Sequence, residues 1–341
     1  MTATQHALDR LVTGHDLDSH EAHAAFAAIM DGQAGDVEIA ALLTGLRVKR
    51  EAVGEIVGAA RAMHERATPI RTKHSGLLDT CGTGGDELHT FNISTAAAFV
   101  IAACGVPVPK HGNRGVSSRS GSADVLEQLG VEINLSPELI TRCVDELKIG
   151  FCFAPLIHGA MKHAAPVRKL LRFRTIFNLL GPLTNPAAAE FQIVGTSRVE
   201  TASRLAQALA ELGRNHAFVV CGADQLDEVS LWGKTTAFEV SGRQVTEHFW
   251  TAETFGLAEC RVEELQIGSP AESAAVIRDI FGGKPGAARD IVLANSAVGL
   301  LAARRADDPR TAVELAARAI DSGDASTLLD RLGRLTRELV V

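Results

Sequence analysis

The stretch DTCGTGGDELHTFNIST, residues 79–95, joins a short apolar segment to an alanine-rich one through a glycine-rich turn. Gly82, Gly84 and Gly85 directly follow the predicted strand LLDTC, and ligands of open parallel sheets collect at the carboxyl ends of strands. Glycine permits positive φ and lets backbone N–H groups approach an anion. The pattern is neither a Walker loop nor G-x-G-x-x-G, so by itself it is as typical of a tight turn as of a phosphate site.

The residues after this turn favour a phosphate site. FNIST places Asn92, Ser94 and Thr95 at the start of a predicted helix, where free N–H groups and partial positive charge attract anions. Simple capping by Asn92 or Ser94 is the alternative, and it is compatible with binding. Asp86 and Glu87 add negative charge that a bare phosphate cradle does not explain.

The rest of the chain predicts an α/β fold. From residue 77, the apolar segments LLDTC, VPV, FCF, FQIV and AFVVC alternate with helical stretches. Such alternation predicts a mostly parallel sheet covered by helices. The segment TAFEVSGRQVTEHFW predicts a hairpin that turns at Ser241 and Gly242.

The first seventy residues predict helices only. Asp18 and Glu21 form a capping box for one helix, Gly32 ends it, and two more stretches of helical periodicity follow. We therefore predict a small all-helical domain over residues 1–72 and a larger α/β domain over residues 73–341. Each helix has one apolar face that needs a partner, either the rest of the chain or a second subunit.

Composition restricts the possible partners. Lys and Arg number 34 against 41 Asp and Glu, so the net charge of −7 gives no global field that would attract nucleic acid. The six cysteines form no C-x-x-C pair and indicate reduced thiols. The amino terminus has no apolar core of signal-peptide length, and the longest apolar run, residues 96–106, is too short for a membrane span. We expect a cytoplasmic protein that binds neither nucleic acid nor membrane.

A second polar loop, KHGNRGVSSRSGSAD at residues 110–124, follows the strand VPV and leads into a helix. Its three cations, four serines and three glycines predict another phosphate-binding loop, with a solvent-exposed loop as the alternative. Two anion loops at neighbouring strand ends predict a substrate with two phosphate groups.

Acidic and basic residues further along complete the predicted site. Asp227 and Glu228 in GADQLDEVS are suited to Mg²⁺ held partly through substrate phosphates, unless they are solvated surface acids. A helix predicted over residues 158–168 carries His158 and Arg168. The planar guanidinium of Arg168 suits a carboxylate, although a lone helical arginine is usually a surface group.

The segments that carry a family resemblance are GTGGD, FNIST, KHGNRGVSSRSGSAD, GADQLDEVS and RTIFNLLGPLTNP. Through them the chain resembles the anthranilate phosphoribosyltransferase family of tryptophan biosynthesis, and the resemblance extends in order over nearly the whole chain. The resemblance implies transfer of the phosphoribosyl group of 5-phosphoribosyl 1-diphosphate (PRPP) to the amine of anthranilate, with Mg²⁺ as cofactor and pyrophosphate as product. It also implies a homodimer formed through the helical domains and a segment near 160–185 that returns to the helical domain.

The resemblance further implies the site residues. Those expected to hold PRPP are Gly82, Gly85, Asp86, Thr90, Asn92, Ile93, Ser94, Thr95, Lys110, His111, Gly112, Asn113, Arg114, Gly115, Val116, Ser117, Ser118 and Ser122. Those expected to hold anthranilate are Gly82, Asn113, His158 and Arg168, and those expected to hold Mg²⁺ are Ser94, Asp227 and Glu228. His111 is the catalytic candidate. The aromatic amine is already neutral at pH 7, so we expect positioning to dominate and His111 at most to assist proton removal.

Some positions depart from the family's pattern, and other functions remain open. Glu87 and Leu88 stand where small residues are usual, Ile157 where an aromatic is common, and Arg172 where glycine is frequent. The alternatives are a phosphorylase, a phosphoribosyltransferase with another acceptor, and a non-catalytic nucleic-acid-binding paralogue. Arg168 favours a carboxylated aromatic over a pyrimidine base.

Overall fold

The computed structural model describes residues 1–115 and 119–339, and it begins with a bundle of four helices. These are α1 (Ala3–Val12), α2 (Ser19–Met30), α3 (Asp36–Lys49) and α4 (Val53–Glu65). The predicted capping box is confirmed, because Asp18 accepts from the backbone of Glu21 while the Glu21 carboxylate accepts from that of Asp18. Periodicity did not single out α1, which Thr2 and Gln5 cap in the same way.

The bundle packs tightly and includes a segment from later in the chain. A Cβ at Gly58 of α4 would lie 2.3 Å from the Ser19 carbonyl oxygen, so the close contact of α2 and α4 requires glycine. Phe26 of α2 packs edge to face on Phe177, with ring centroids 5.6 Å apart. Phe177 belongs to a returning segment, residues 160–185, whose buried side chains share the core of the bundle.

The larger part of the chain is built on a mixed five-stranded sheet in the order β1-β4-β5-β6-β7. Its strands are β1 (Leu78–Thr80), β4 (Phe191–Gly195), β5 (His216–Cys221), β6 (Thr235–Ser241) and β7 (Gln244–Trp250). The first three are parallel, while β6 and β7 form the predicted hairpin and run antiparallel. The predicted α/β class, a helical domain with a sheet domain covered by helices, is confirmed.

A two-stranded parallel sheet adjoins the first one. It consists of β2 (Val108–Gly112) and β3 (Ile149–Phe153). Strand β2 lies beside β1, because the Leu78 N–H donates to the Pro107 carbonyl at 2.9 Å and the His111 N–H donates to the buried carboxylate of Asp79 at 3.0 Å. The loops that follow β1 and β2 therefore emerge next to each other.

Helices cover the two sheets. They are α5 (Ile93–Ala103), α6 (Ser122–Gln128), α7 (Pro137–Leu147), α8 (Ala154–Ile157), α9 (Ala165–Leu171), α10 (Phe177–Leu180), α11 (Val199–Glu211), α12 (Ala252–Phe255), α13 (Pro270–Phe281), α14 (Ala287–Ala302), α15 (Pro309–Asp321) and α16 (Asp324–Glu338). Helices α5 and α14 are almost wholly buried, and Gly299 of α14 admits the side chain of Ile101. In the described ranges, no helix has the length and apolar character needed to cross a membrane.

Candidate active site

A cavity of about 670 Å³ lies where the carboxyl ends of β1, β2 and β5 face the returning segment. It is lined by every sequence-predicted site residue that the structure describes: Gly82, Gly85, Asp86, Thr90, Asn92, Ile93, Ser94, Thr95, Lys110, His111, Gly112, Asn113, Arg114, Gly115, Ser122, His158, Arg168, Asp227 and Glu228. The predicted residues Val116, Ser117 and Ser118 lie outside the described residues. Positions far apart in sequence thus meet around one space.

The glycine loop, residues 82–86, is fastened to an acid. The Gly84 N–H donates to a carboxylate oxygen of Asp227 at 2.8 Å. A Cβ at Gly82 would lie 2.8 Å from the same oxygen, so a side chain there would collide with the carboxylate. Gly84 and Gly85 have φ values of 68° and 91°, which favour glycine. The glycines therefore allow close approach to Asp227 as well as to any anion in the cavity.

Three acids gather beside this loop. Burial raises the pKa of Asp227 well above its usual value, and the charges of Asp86 and Glu228 raise it further. Burial also raises the pKa of Glu228 to about 7, although Lys110 acts in the opposite direction. Buried, crowded carboxylates with raised pKa values suit a hard divalent cation, because the cation would supply positive charge beside them.

The acids complete only part of a coordination shell. Within residues 1–115 and 119–339, no three His, Cys, Asp or Glu side chains converge closely enough to hold a metal ion unaided. This agrees with the habit of Mg²⁺, which is commonly bound by one or two carboxylates together with substrate phosphates and water. The raised pKa values of Asp227 and Glu228 are the structural indication of a cation at this place.

Hydrogen bonds from other segments of the chain hold the start of α5 in place. Asn92 does not cap the helix with its side chain; its amide nitrogen donates to the Ser120 carbonyl, and its amide oxygen accepts from the hydroxyl of Ser273 at 2.8 Å. The Ser94 N–H donates to the Glu228 carboxylate at 3.1 Å. The buried hydroxyl of Thr95 has no hydrogen-bond partner in the described part of the chain. The helix start thus joins both loops to the acids.

The second polar segment, residues 110–124, begins on β2 instead of after it, and it presents its cations in different ways. Lys110 is buried, and its ammonium group donates to the carbonyl and hydroxyl oxygens of Thr80. Arg114 lies at the surface and forms ion pairs with Asp124 at 3.0 Å and Glu127 at 2.7 Å. Arg114 therefore shares its guanidinium with two acids, whereas the ammonium group of Lys110 is buried against the end of β1.

Two histidines form a hydrogen-bonded pair at the inner end of the cavity. His111 Nδ1 lies 3.0 Å from the Gly181 carbonyl, which can only accept, so this nitrogen carries a hydrogen. His158 Nε2 lies 3.2 Å from His111 Nε2. If His111 is neutral, His158 must be the donor in this bond. Burial lowers the pKa of His111 and lowers that of His158 to about 3, so both rings are neutral at pH 7.

The segment that carries Arg168 differs from the prediction. The prediction of a single helix over residues 158–168 is wrong. Helix α8 ends at Ile157, a 3₁₀ turn spans Gly159–His163, and α9 begins at Ala165. Pro166 lacks the N–H that a continuous helix would use, and it stands in the first turn of α9. The Arg168 guanidinium lies 5.1 Å from the Phe177 ring centroid, and burial lowers its pKa. It has no ion pair among the described residues.

One lining residue received no role from the sequence. Arg174 donates to the Thr83 carbonyl at 2.6 Å and lies over the glycine loop. It belongs to the segment RTIFNLLGPLTNP, which carries no predicted site residue. The unusual positions Glu87 and Arg172 have φ values of 60° and 57°, a region that favours glycine.

The fold and the site define a class of protein: a two-domain transferase whose cavity combines an acid cluster, a glycine-rich loop, a glycine- and serine-rich segment and an arginine that has no ion pair among the described residues. Family models agree. The helical bundle domain of the glycosyl transferase family matches residues 5–67, and the a/b domain of that family matches residues 74–326. The chain belongs to the anthranilate phosphoribosyltransferase branch of this family, as its relatives show.

Those relatives match over nearly their whole length. The chain is 51% identical to the anthranilate phosphoribosyltransferase of Desulforudis audaxviator, covering 97% of this chain and 95% of the relative. It superposes on the enzyme of Thermus thermophilus with a TM-score of 0.92 and 41% identity, over 97% and 99% of the two chains. The yeast enzyme, solved in complex with PRPP and Mg, gives a TM-score of 0.90 at 27% identity, over 98% of each chain.

Proposed function

We propose that this chain transfers the phosphoribosyl group of PRPP to the amine of anthranilate, in tryptophan biosynthesis. The amine nitrogen bonds to C1 of the ribose, the bond from C1 to the pyrophosphate oxygen breaks, and the amine loses one proton. One observation carries the proposal. The same cavity holds an acid cluster suited to a metal diphosphate and, apart from it, a half-buried Arg168 with no acidic partner in the described ranges.

The PRPP end of the cavity is assigned to the glycine loop, the start of α5 and the second loop. Gly82, Gly85, Asp86, Thr90, the residues 92–95, the residues 110–118 and Ser122 would contact the sugar diphosphate. Negative charge builds on the departing pyrophosphate and positive charge on the sugar, so fixed donors such as Lys110 lower the barrier. Losing one such donor typically costs ~3 to 4 kcal/mol in the barrier.

Mg²⁺ would be held by Asp227, Glu228 and the Ser94 hydroxyl together with phosphate oxygens. When bound, it supplies positive charge that stabilises the leaving pyrophosphate. Asp86 lies close enough to Asp227 for the two carboxyls to interact. We propose that Asp86 accepts hydrogen bonds from ribose hydroxyls or from water on the metal ion.

Anthranilate would lie between the histidine pair and the returning segment. Arg168 would grip its carboxylate, and Gly82, Asn113 and His158 would line its ring and amine. Both nitrogens of His111 are engaged in hydrogen bonds, and its pKa is lowered by burial, which makes it a weak base. We therefore assign His111 mainly a positioning role, with proton removal as at most a minor contribution.

The domain division and the assembly belong to the same proposal. Residues 1–72 with the returning segment would form one domain and residues 73–341 the other, and the cavity would lie between them. A homodimer through the helical domains is supported by exposed apolar side chains on α1, α3 and the returning segment. These are Val12, Val37, Val48, Leu170 and Phe173, of which the first four are 78% exposed or more. The cytoplasm is the proposed location.

A fluorescence assay tests the function. Purified protein is mixed with anthranilate, PRPP and Mg²⁺, and loss of anthranilate fluorescence is followed with time. We expect a decrease that requires all three components. No change in fluorescence, with a known family enzyme active in the same buffer, would refute the assignment. A decrease that is equally fast without PRPP would do the same.

A further inference from the structure

The side chain of Arg174 is in direct contact with the glycine loop. Its Nη2 donates to the Thr83 carbonyl at 2.6 Å. A Cβ placed on Gly85 would lie 2.3 Å from Nη1 and 2.8 Å from Cζ of the same guanidinium. The guanidinium therefore occupies the volume that any side chain at position 85 would need. The loop is held at Thr83 by Arg174 and at Gly84 by Asp227.

Arg174 also lies where the two parts of the molecule meet. It stands between α9 and α10, in the returning segment that shares the core of the bundle. Burial lowers its pKa, the charges of Asp227 and Asp86 raise it, and Arg47 of α3 lowers it. No acid lies within ion-pair distance of Arg174 in the part of the chain that the structure describes. Its charge therefore acts on the loop and the acids together.

We infer that Arg174 is a positioning residue for the sugar diphosphate. By holding the Thr83 carbonyl and filling the space over Gly85, it fixes the loop whose Gly84 N–H orients Asp227. The residue acts through the loop and has no assigned contact with the reacting atoms. The inference rests on the proposed function, because the proposed function identifies the ligand of this loop.

The same contact couples the two ends of the cavity. Arg174 follows Arg168 by six residues, so the segment that grips the acceptor also holds the loop that receives the diphosphate. A displacement of this segment would change both subsites together. A purely structural role for Arg174 would lower stability without a selective effect on PRPP.

The first test compares Arg174→Gln and Arg174→Lys with Arg172→Gln, an exposed arginine on the same segment. PRPP binding is measured by calorimetry with Mg²⁺ present, alongside KM values and thermal midpoints. We expect Arg174→Gln to weaken PRPP binding about 10-fold or more, because a charge-assisted hydrogen bond is lost. Arg174→Lys should recover part of the affinity, and Arg172→Gln should retain it. The KM for PRPP should rise more than the KM for anthranilate.

The second test is a double-mutant cycle of Gly85→Ala and Arg174→Ala. The strain of alanine at positive φ is common to both backgrounds and cancels, so the cycle isolates the clash with the guanidinium. We expect Gly85→Ala to reduce PRPP affinity less when Arg174 is absent. Additive effects, or normal PRPP binding by Arg174→Gln, would overturn the inference. A wild-type protein that binds PRPP and fails to consume anthranilate would instead refute the proposed function.

Discussion

His158 Nε2 lies 3.2 Å from His111 Nε2 in a buried pair that connects the turn after α8 to strand β2. Two hydrogen bonds follow one another here: His158 Nε2–H donates to His111 Nε2, and His111 Nδ1–H donates to the Gly181 carbonyl. An added proton would have to enter a buried position beside another ring. The pair is thus a neutral structural link between the proposed acceptor subsite and the sheet.

Acid should therefore destabilise the protein through His158. Its pKa falls from 6.5 to about 3 on folding, so the unfolded chain binds more protons between these values. The stabilising contribution is complete above about pH 6.5 and is lost as the pH falls toward 3, by up to about 1.4 kcal/mol per pH unit. Urea unfolding at pH 7.5 and pH 5 measures this loss. His158→Asn should reduce it, and the exposed control His20→Asn should leave it unchanged; equal losses in all three proteins would contradict the prediction.

Removing the guanidinium of Arg168 should affect binding of the acceptor selectively. Arg168→Ala is expected to raise the KM for anthranilate about 10- to 100-fold, because a charged hydrogen-bonding partner of the carboxylate is lost. PRPP affinity should change little. Steady-state kinetics with each substrate varied in turn measures both effects. The matched control is Lys169→Ala, since Lys169 is the neighbouring exposed cation. An equal rise in both KM values would mean that Arg168 only supports the fold.

Neutralising Glu228 in the proposed metal site should change the unfolding free energy and the binding of PRPP in opposite directions. Glu228→Gln keeps an oxygen that can accept a hydrogen bond from the Ser94 N–H. It removes a carboxyl group whose pKa is raised to about 7 by burial. We expect the free protein to gain about 1 kcal/mol in unfolding free energy, while Mg²⁺-dependent PRPP binding weakens about 10-fold or more. Chemical unfolding and calorimetry measure the two quantities. Asp224→Asn, on the same loop, serves as control. A variant that binds Mg²⁺ and PRPP normally would exclude Glu228 as a ligand.

Glu87 gives a test of local strain. It is exposed and has a φ of 60°. A left-handed conformation costs roughly 1–2 kcal/mol for an ordinary residue, while glycine costs about 0.5–1 kcal/mol more in entropy on folding. Glu87→Gly should therefore raise the unfolding free energy by up to about 1 kcal/mol. Glu259→Gly, an exposed position without positive φ, should lower it. Equal losses in both variants would show that Glu87 is unstrained.

The proposed dimer has a simple mutational test. Leu170 is 78% exposed on α9, one of the segments assigned to the interface, whereas Val199 is 39% exposed at the start of α11, which packs on α4 and is not assigned to the interface. A charge placed in a buried subunit interface is strongly destabilising, so Leu170→Glu should shift the protein from dimer to monomer at micromolar concentration. Val199→Glu should not. Sedimentation velocity distinguishes these states. A wild-type monomer at all concentrations would contradict the homodimer.

Local patterns predicted much of this architecture. The capping box at Asp18, most of the strands and the hairpin at Ser241 follow from short-range periodicity and turn chemistry, and they form. The strand predicted at VPV, residues 106–108, is displaced, because β2 begins at Val108 and runs to Gly112, into the segment predicted to be a loop. The mixed sheet was less predictable, because strand direction depends on long-range pairing. The helix expected over residues 158–168 is interrupted before α9, whose first turn contains Pro166, a residue without the N–H that a continuous helix would use.

The sequence predicted which residues gather around the cavity, and it predicted fewer of the contacts between them. Motif spacing and resemblance brought Asp227 and the glycine loop to one place, although no local pattern shows that the Gly84 N–H binds this acid. The engagement of Arg114 with Glu127 and the contact of Arg174 with Thr83 also depend on tertiary packing. Such contacts join segments up to 143 residues apart, so only a folded chain reveals them.

The most direct measurement counts products. Wild-type protein is incubated with limiting anthranilate, excess PRPP and Mg²⁺, and pyrophosphate and the ribosylated product are quantified by enzymatic assay and mass spectrometry. The account predicts one pyrophosphate and one N-(5-phosphoribosyl)anthranilate for each anthranilate consumed, with neither formed when Mg²⁺ is chelated. Pyrophosphate release without the anthranilate adduct, or no release while a known family enzyme is active, would contradict it.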